Sequence, residues 1–425
     1  MKDKIIGFFD RLSPWFDKMG TNPYLQAISG AMMSTLGPAF IGSISVLFIV
    51  LMSMVPSLAK FSNVVSLLSK VNTVTLGALA IYIAVLMAYH LVRRLDEKED
   101  PISAAIISLL SFLIITPLGP MADETMGIPT TWLGAQGVFS AMIVGLVSAR
   151  LYLAIKHRGW TIKMPAGVPP MVTRMFEALI PTILIGTLFI LIDFMFSMSA
   201  FGSMHQFVYT VIQVPLKGIG GSIGAMILLS LIQQILWFFG IHGTNVILPL
   251  VTPLWMAMDV ENLEAVQAGL TPPNIVGFAF FNIITWGGLA LGLVLLMLRA
   301  KSKQYREVGK ISLIPALFGI TEPVIFGTPL VLNFDLAVPF ITNNTISLIF
   351  AYVLTRVGIV ARFKGVQAIF GLPLGVHGAV QGSISIILLQ LFIQLILSPL
   401  LWYPWFKRVD NRTYKQEQEA EKAAD

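Results

Sequence analysis

The stretch that decides the fold of this chain runs from Ile311 to Leu332 and reads Ile-Ser-Leu-Ile-Pro-Ala-Leu-Phe-Gly-Ile-Thr-Glu-Pro-Val-Ile-Phe-Gly-Thr-Pro-Leu-Val-Leu. It is apolar enough to enter a bilayer, yet it contains two glycines, three prolines and the carboxylate of Glu322. A proline within a helix removes a backbone donor and clashes with the preceding turn. Interrupted backbone at membrane depth survives only where protein buries it or a wet cavity lines it. The pattern therefore predicts a re-entrant hairpin that presents Glu322 to a substrate.

The composition of the whole chain indicates a polytopic membrane protein. Hydrophobic residues make up 56% of the sequence, charged residues only 12%, and the mean hydropathy is +0.81. A soluble domain carries about twice that share of charged residues. The net charge of +6 does not indicate nucleic-acid binding, because the basic residues cluster in short loops beside apolar spans. With no cysteine and five scattered histidines, we expect no disulfide, no metal site and no cofactor.

Apolar spans and polar loops alternate regularly in the first half of the chain. Residues 1–24 predict an amphipathic helix in the membrane interface, and residues 25–200 predict an N-terminal transmembrane half. Its five spans are expected near residues 27–54, 74–92, 102–118, 132–153 and 179–198. The basic loops at 93–98 and 156–163 are expected inside the cell, and the acidic loop at 120–131 outside. Residues 201–220 predict an amphipathic linker, with a poor span as the alternative.

The second half of the chain is less regular. Residues 221–406 predict a C-terminal transmembrane half with spans ending near Trp237 and Trp405 and two further spans over 274–297 and 334–354. The strongly basic loop at 299–306 is expected inside. Residues 407–425 predict a polar, disordered cytoplasmic tail. Together the halves predict an all-α fold of about ten transmembrane helices besides the broken segments, with both termini in the cytoplasm.

Two echoes of the Glu322 stretch predict where a ligand binds. Phe239-Gly240-Ile241-His242 shares its Phe-Gly-Ile start with the run from Phe318 to Glu322, and Phe370–Gly378 is a weaker third copy. Paired interrupted segments of this kind are the best sequence indication of a transporter's binding site. Glycines let the backbone approach a ligand closely. The chemistry of the surrounding residues then decides which ligand is expected.

The residues around these echoes suit an uncharged sugar, which needs fixed donors and acceptors together with an aromatic wall. The predicted sugar-binding residues are Gln233, His242, Asn282 and Glu322 as polar groups, Trp237 and Phe370 as the aromatic wall, and Gly319 and Thr321 beside them. Each has a purely structural alternative. Glu322 could bind backbone amides of its own hairpin, His242 could cap a helix, and Asn282 could bind a neighbouring helix. A lining poor in lysine and arginine argues against an anionic substrate.

The run Gly319-Ile320-Thr321-Glu322-Pro323 resembles the signature of the sugar-transporting IIC components of the bacterial phosphoenolpyruvate-dependent phosphotransferase system. The segments Pro165–Pro181 and Gly240–Gly243 look like the lactose/cellobiose/chitobiose branch of that family. The resemblance extends over essentially the whole chain. It implies a homodimer in the cytoplasmic membrane, whose first half makes the dimer interface. The second half holds the sugar and contains two re-entrant hairpins, around His242 and Glu322. It also implies that a partner IIB protein phosphorylates the 6-hydroxyl of the sugar during transport.

The same resemblance implies that Glu322 and His242 contact the sugar near that hydroxyl and take part in catalysis. A carboxylate can accept the hydroxyl proton or orient the hydroxyl for in-line attack, and phosphoryl transfer mainly requires positioning and charge neutralisation. In this branch the phosphoryl donor is a phosphocysteine of IIB. Since this chain has no cysteine, we expect IIB to be a separate polypeptide, docking on the basic loops 93–98 and 299–310. The phosphoryl donor lies on that partner, so whether the chain counts as an enzyme stays open.

The expected function is thus a IIC permease for a β-linked disaccharide such as cellobiose or chitobiose. The alternative is a proton-coupled sugar symporter in which Glu322 carries the proton, since one intramembrane acid would suffice. A non-transporting sensor or scaffold is a third class, which the broken helices and polar pocket disfavour. Whether the accumulated sugar carries a phosphate separates the first two. Pocket shape, which the sequence does not reveal, decides which disaccharide is preferred.

Overall fold

The computed structural model describes Pro14, Lys18 and residues 21–54, 61–120, 126–165, 167–328, 330–368 and 371–424. These residues are almost entirely helical, with one antiparallel pair of short strands, β1 (Gly119–Pro120) and β2 (Met126–Gly127). Eight helical segments of the described chain are long and apolar enough to cross a membrane, or nine if one bent pair counts as a span. The chain is therefore an all-α membrane protein, as its sequence predicts. The predicted helix over residues 1–24 falls almost wholly outside the described residues.

The chain divides into two compact units. The N-terminal unit comprises Lys18–Gly220 and Leu248–Val260, and the C-terminal unit comprises Gly221–Ile247 and Glu261–Asp425. The helices of the N-terminal unit are α1 (Pro23–Ser34), α2 (Leu36–Met54), α3 (Ser62–Thr75), α4 (Leu79–Leu95), α5 (Pro101–Ile114), α6 (Val138–His157), α7 (Pro170–Ser197), α8 (Met204–Phe207) and α9 (Val214–Gly220).

Helix α4 forms the centre of the N-terminal unit. Its residues Ile83, Met87 and Leu91 recur every fourth position and are fully buried, which is the stripe expected of a helix that packs on one face. This helix packs against α1, α5 and α6. The predicted first span contains two consecutive helices, α1 and α2, which meet at Thr35, and Pro23–Val46 is one candidate membrane span.

Residues 201–220, which the sequence predicts as a linker, form α8, a π-helical turn (Val208–Gln213) and α9. Two buried polar side chains attach them to the N-terminal unit. His205 Nε2 lies 3.1 Å from the hydroxyl of Thr116, and Gln213 Nε2 donates to the carbonyl of Ala135 at 3.3 Å. This segment is thus a packed part of the N-terminal unit.

The C-terminal unit is built from shorter and more often interrupted helices. They are α10 (Ile223–Phe238), α11 (Gly243–Gln267), α12 (Phe278–Ile284), α13 (Ala290–Met297), α14 (Lys303–Leu317), α15 (Glu322–Gly327), α16 (Ala337–Arg356), α17 (Val376–Ala379), α18 (Ile384–Phe392) and α19 (Ser398–Ala424). The middle of α11 belongs to the N-terminal unit. The core of the C-terminal unit lies between α13 and α19, where Leu293, Met297 and Trp402 are buried together.

The tail after Lys407 is helical, so the expectation of a disordered tail is wrong. The Asp410 carboxylate accepts hydrogen bonds from the backbone amides of Lys301 and Ser302, both at 2.9 Å. The Glu417 carboxylate accepts from the hydroxyl of Ser302 at 2.7 Å and the amide of Lys303 at 2.9 Å. The first amides of a helix have no partner within it and favour negative charge nearby. The start of α14 therefore orders the acidic residues of the tail.

Two basic clusters of the C-terminal unit lie at opposite ends of α16: one is the loop 299–306, and the other begins with Arg356. Asp335, just before α16, pairs with Arg412 of the tail at 2.6 Å, so the start of α16 shares one end with the tail and the basic loop 299–306. Arg356 ends α16, whose 20 residues correspond to a helix about 30 Å long. The positive-inside rule can therefore place only one of the two clusters in the cytoplasm.

We expect Asp410→Ala to destabilise the C-terminal unit, because two helix-end amides would lose a charged acceptor. The cost expected for hydrogen bonds to a charged group is about 1.5–3 kcal/mol. The measurement is the midpoint of thermal unfolding of the detergent-purified protein. Glu419→Ala removes an exposed acid from the same helix and serves as the control. Equal midpoints for the two variants would contradict the capping role of Asp410.

Candidate functional site

The chain turns sharply after α10, and the turn brings Gln233, Trp237 and His242 together. Gly240 adopts a left-handed conformation with φ +82°, and its amide donates to the carbonyl of Trp237 at 3.1 Å. Gln233 Nε2 and Trp237 Nε1 both donate to the hydroxyl of Thr244 at 3.2 Å. The His242 ring lies against the Trp237 ring, with centroids 4.2 Å apart. Three predicted site residues thus form one small polar and aromatic surface.

The surface combines an open side and a buried side. His242 is exposed and Trp237 is half-buried, so both rings can contact a ligand. Gln233 is buried, and its Oε1 has no hydrogen-bond partner among the described residues. Thr244 is not among the residues predicted from the sequence, although it follows His242 by two positions and accepts both side-chain hydrogen bonds. A polar residue directly after a Gly-x-His-Gly turn was the available signal.

The span predicted over 274–297 is present as Phe278–Met297, and its helix is broken in the middle. Helix α12 ends at Ile284, and Gly287, Gly288 and Leu289 have φ values of 55°, 55° and 57°. A left-handed conformation costs a residue other than glycine about 1–2 kcal/mol, so the surroundings must hold Leu289 in place. The glycine pair inside an apolar run was the signal for the break. We call Trp286–Leu289 the helix break.

The helix break lies directly against the Glu322 motif. A Cβ added at Gly319 would lie 3.2 Å from Nε1 of Trp286, and one added at Gly287 would lie 3.1 Å from the Cα of Gly319. Both distances are shorter than most real Cβ contacts and both glycines adopt positive φ, so a side chain at either position would be strained. Asn282, another predicted site residue, lies half-buried on α12 just before the break. The break and the motif therefore have a fixed relation to each other.

Glu322 is the first residue of the short helix α15, and Thr321 precedes it. Pro323 lies in the first turn, where its missing amide hydrogen costs no helical hydrogen bond. The structure describes the backbone of Glu322, while its side chain lies outside the described part. Phe370, the predicted aromatic wall, also lies outside the described residues. The placement of Gly319, Thr321 and the Glu322 backbone is thus what the structure contributes for this motif.

The three interrupted segments with related sequences lie side by side. The amide of Leu332 donates to the carbonyl of Phe238 at 2.9 Å, and the amide of Leu374 donates to the carbonyl of Leu317 at 3.0 Å. His377, in the third segment, has its ring centroid 6.2 Å from that of Trp286. Backbone that has left the helical pattern in one segment is thus paired with backbone of another.

The arrangement offers amide and imidazole groups beside two tryptophans, which suits recognition of a neutral hydroxylated ligand. In the part of the chain that the structure describes, no three histidine or acidic side chains are placed to hold a metal ion. Apolar spanning helices with interrupted helices around such groups are the architecture of a membrane permease. The fold and the site thus define the chain as a membrane permease.

The chain belongs to the EIIC family of the phosphotransferase system, which it matches over residues 29–343. It is similar to the oligo-beta-mannoside-specific EIIC component of Bacillus subtilis (strain 168), with 34% identity over 99% of this chain and 96% of the relative. It is also similar to the cellobiose-specific EIIC component of Geobacillus stearothermophilus, with 32% identity over 96% and 95%.

A crystal structure resembles the whole fold. It is that of the transporter ChbC, the IIC component from the N,N'-diacetylchitobiose-specific phosphotransferase system, with a TM-score of 0.88 and 30% identity over 96% of this chain and 98% of that one. Family membership makes this chain a multi-pass sugar permease that works with a IIB partner, as the Gly319–Pro323 motif predicts. The symporter alternative is not favoured.

We expect Gly287→Ala to impair sugar-dependent phosphorylation more than Gly288→Ala. Both changes place a side chain at the same positive φ, but a Cβ at Gly288 meets nothing within 4 Å, whereas one at Gly287 meets Gly319. A displaced Glu322 motif should lower the rate about tenfold, which corresponds to about 1.4 kcal/mol. The rate is measured in membrane vesicles at matched protein content. Equal rates in the two variants would show that the contact with Gly319 is without consequence.

Proposed function

We propose that this chain binds a β-linked disaccharide, such as cellobiose or chitobiose, carries it across the cytoplasmic membrane and presents its 6-hydroxyl to a separate IIB protein. The observation that carries the proposal is the meeting of three interrupted segments beside Trp237, His242 and the start of α15. The relatives named above support the substrate class, since their names specify oligo-β-mannoside, cellobiose and N,N'-diacetylchitobiose.

In this proposal the sugar lies against the aromatic surface of Trp237, and the polar groups of Gln233, His242 and Asn282 bind its hydroxyls. The contact between Trp237 and His242 supports this role, because it leaves an exposed imidazole beside a flat ring. The backbone of Gly319 and Thr321 approaches the ligand from the opposite segment. Phe370 is proposed to complete the aromatic wall.

Glu322 and His242 are the residues that we propose to act on the 6-hydroxyl. The hydroxyl oxygen attacks the phosphorus of a phosphocysteine on IIB, the phosphorus–sulfur bond breaks, and the cysteine leaves as a thiolate. The hydroxyl proton passes to the Glu322 carboxylate, which acts as general base. His242 holds the hydroxyl in line with the phosphoryl group, since positioning is the main requirement of this transfer.

We further propose about ten transmembrane helices with two re-entrant hairpins, around His242 and Glu322. The eight long apolar segments, the bent pair and the shorter apolar helix α5 support that number. The starts of α14 and α16 are both tied to the tail, through Asp410 and Arg412. The segment between these two starts therefore begins and ends at the same end of the C-terminal unit, as a re-entrant hairpin at Glu322 requires.

The orientation and the partners are part of the same proposal. Both termini are proposed to lie in the cytoplasm, where the basic loops 93–98 and 299–310 receive IIB. The bond between the tail and the loop before α14 supports placing those two parts on one side. The N-terminal half, residues 25–200, is proposed to form a homodimer. Helix α7 supports this, because it is the least buried of the eight candidate spans.

We expect Glu322→Gln to abolish sugar phosphorylation and His242→Ala to reduce it severely. The first variant removes the base and the second removes a group that positions the hydroxyl. General acid–base catalysis contributes about 100-fold to 10,000-fold, so the first loss should lie in that range. The assay measures sugar phosphate formed in vesicles, with protein content measured by immunoblot. Glu419→Gln, an exposed change on α19, is the matched control. Substantial phosphorylation by a well-expressed Glu322→Gln protein would remove the role assigned to this carboxylate.

The whole proposal is tested in inside-out membrane vesicles that contain the chain. Phosphoenolpyruvate, the soluble phosphotransferase proteins and a matching IIB are added with a panel of β-linked disaccharides. We expect a sugar 6-phosphate only when both the chain and IIB are present, and the sugar that yields it names the substrate. Transport of a sugar that stays unphosphorylated under these conditions would refute the proposal.

A further inference from the structure

A row of buried polar side chains on the last helices is bonded to the helix break. Gln390, Gln394 and Ser398 recur every fourth residue, and their exposed fractions are 1%, 0% and 0%. Gln394 Nε2 donates to the carbonyl of Trp286 at 2.8 Å, and the Ser398 hydroxyl donates to the carbonyl of Leu289 at 2.8 Å. We call these three residues the polar row. Two of its side chains donate hydrogen bonds to the carbonyls of the first and last residues of the break.

The helix that carries the polar row is itself irregular at this place. A π-helical turn, Ile393–Leu397, lies between α18 and α19. Because a π turn holds more residues than an α turn, it reduces the rotation between side chains four positions apart and keeps them on one face. Single π-helical turns occur frequently at functional sites. The irregular turn therefore points the polar row at the break.

Gln390 connects the break to another of the interrupted segments. Its Oε1 accepts from the amide of Gly378 at 2.9 Å and from the amide of Gly375 at 3.2 Å. Its Nε2 lies 3.5 Å from the carbonyl of Ile283, which is a weak hydrogen bond. One side chain thus contacts both the segment of His377 and the helix that leads into the break.

The helix break is in contact with the Glu322 motif. The carbonyl that Gln394 binds belongs to Trp286, and the indole of Trp286 lies against Gly319. Leu289, whose carbonyl Ser398 binds, holds an unfavourable left-handed conformation. Removing the donors would leave buried carbonyls without these partners, and such groups favour a different backbone. A change at Gln394 should therefore move the motif without any contact to the ligand.

We propose that Gln394 and Ser398 are positioning residues of the sugar site, which hold the helix break and through Trp286 and Gly319 set the place of Thr321 and Glu322. The inference rests on the proposed function, because its effect is expressed in sugar affinity and phosphorylation. It explains how the last helices, through the helix break, determine the geometry of the site.

The test compares Gln394→Met with Gln381→Met. Gln381 is also fully buried, its Nε2 donates to the carbonyl of Val366 at 2.7 Å and its Oε1 accepts from the amide of Lys364 at 2.8 Å. It thus has the same chemistry and a donor bond of similar length, and none of its bonds reaches the break. Gln394 differs in that its Oε1 has no hydrogen-bond partner among the described residues. Methionine preserves the length of either side chain and removes the donors and the acceptor.

Both purified variants are titrated with cellobiose and N,N'-diacetylchitobiose by calorimetry, and their unfolding midpoints are recorded. We expect both variants to lose thermal stability, and Gln381→Met to lose at least as much, because it breaks two hydrogen bonds and Gln394→Met breaks one. Only Gln394→Met should raise the Kd for the sugar, about tenfold, with a matching rise of KM in the vesicle assay. Ser398→Ala, which removes one hydroxyl, is the second variant if Gln394→Met does not fold, and it should raise the Kd in the same direction.

The outcomes separate the inference from the proposed function. If the natural protein binds a sugar and both glutamine variants bind it with equal affinity, the positioning role is overturned and the proposed function stays intact. A natural protein that neither binds nor phosphorylates any β-linked disaccharide overturns the proposed function and the inference with it. A Kd raised by Gln394→Met and unchanged by Gln381→Met supports both.

Discussion

The structure of the C-terminal unit depends on supplying hydrogen-bond partners to backbone that has left the helical pattern inside an apolar layer. Such groups have no water to bind and are stable only when the protein pairs them. Gln394 pairs the carbonyl of Trp286, and Gln390 pairs the amide of Gly378. Elsewhere the interrupted segments pair with each other, as Leu332 does with Phe238. These interruptions are stable because other parts of the chain supply hydrogen-bond partners to the interrupted backbone.

These interruptions also explain where the functional groups lie. A regular helix satisfies its own backbone and leaves only side chains for recognition, whereas a broken helix brings backbone and side-chain groups to one place. Gly287 of the break and Gly319 of the Glu322 motif meet with no side chain between them, and the indole of Trp286 lies against Gly319. Close approach thus favours glycine at both positions, one of which, Gly319, belongs to the Gly319–Pro323 motif.

Charge acts at the ends of the helices rather than in their middle. Asp410 and Glu417 bind the first amides of α14, and Arg412 binds Asp335 before α16. The tail therefore contacts both ends of the segment that contains Glu322, which runs from the start of α14 to the start of α16. The mixed charge of the tail sequence by itself favours disorder. The tail is ordered because the amides at the start of a helix attract its carboxylates.

The sequence by itself determined the class of the protein, most of the spans and the Glu322 motif, because these depend on local composition and on short runs of residues. It also indicated that the Phe-Gly-Ile segments belong together. Only the tertiary structure decided that the span after Asn274 is broken at Gly287 and that the tail is helical. The reason is distance along the chain: Gln394 and Trp286 are 108 residues apart, and Asp410 and Lys301 are 109 apart. Hydropathy averages over a window and detects no such partner, so these features follow from long-range hydrogen bonds that only the folded chain contains.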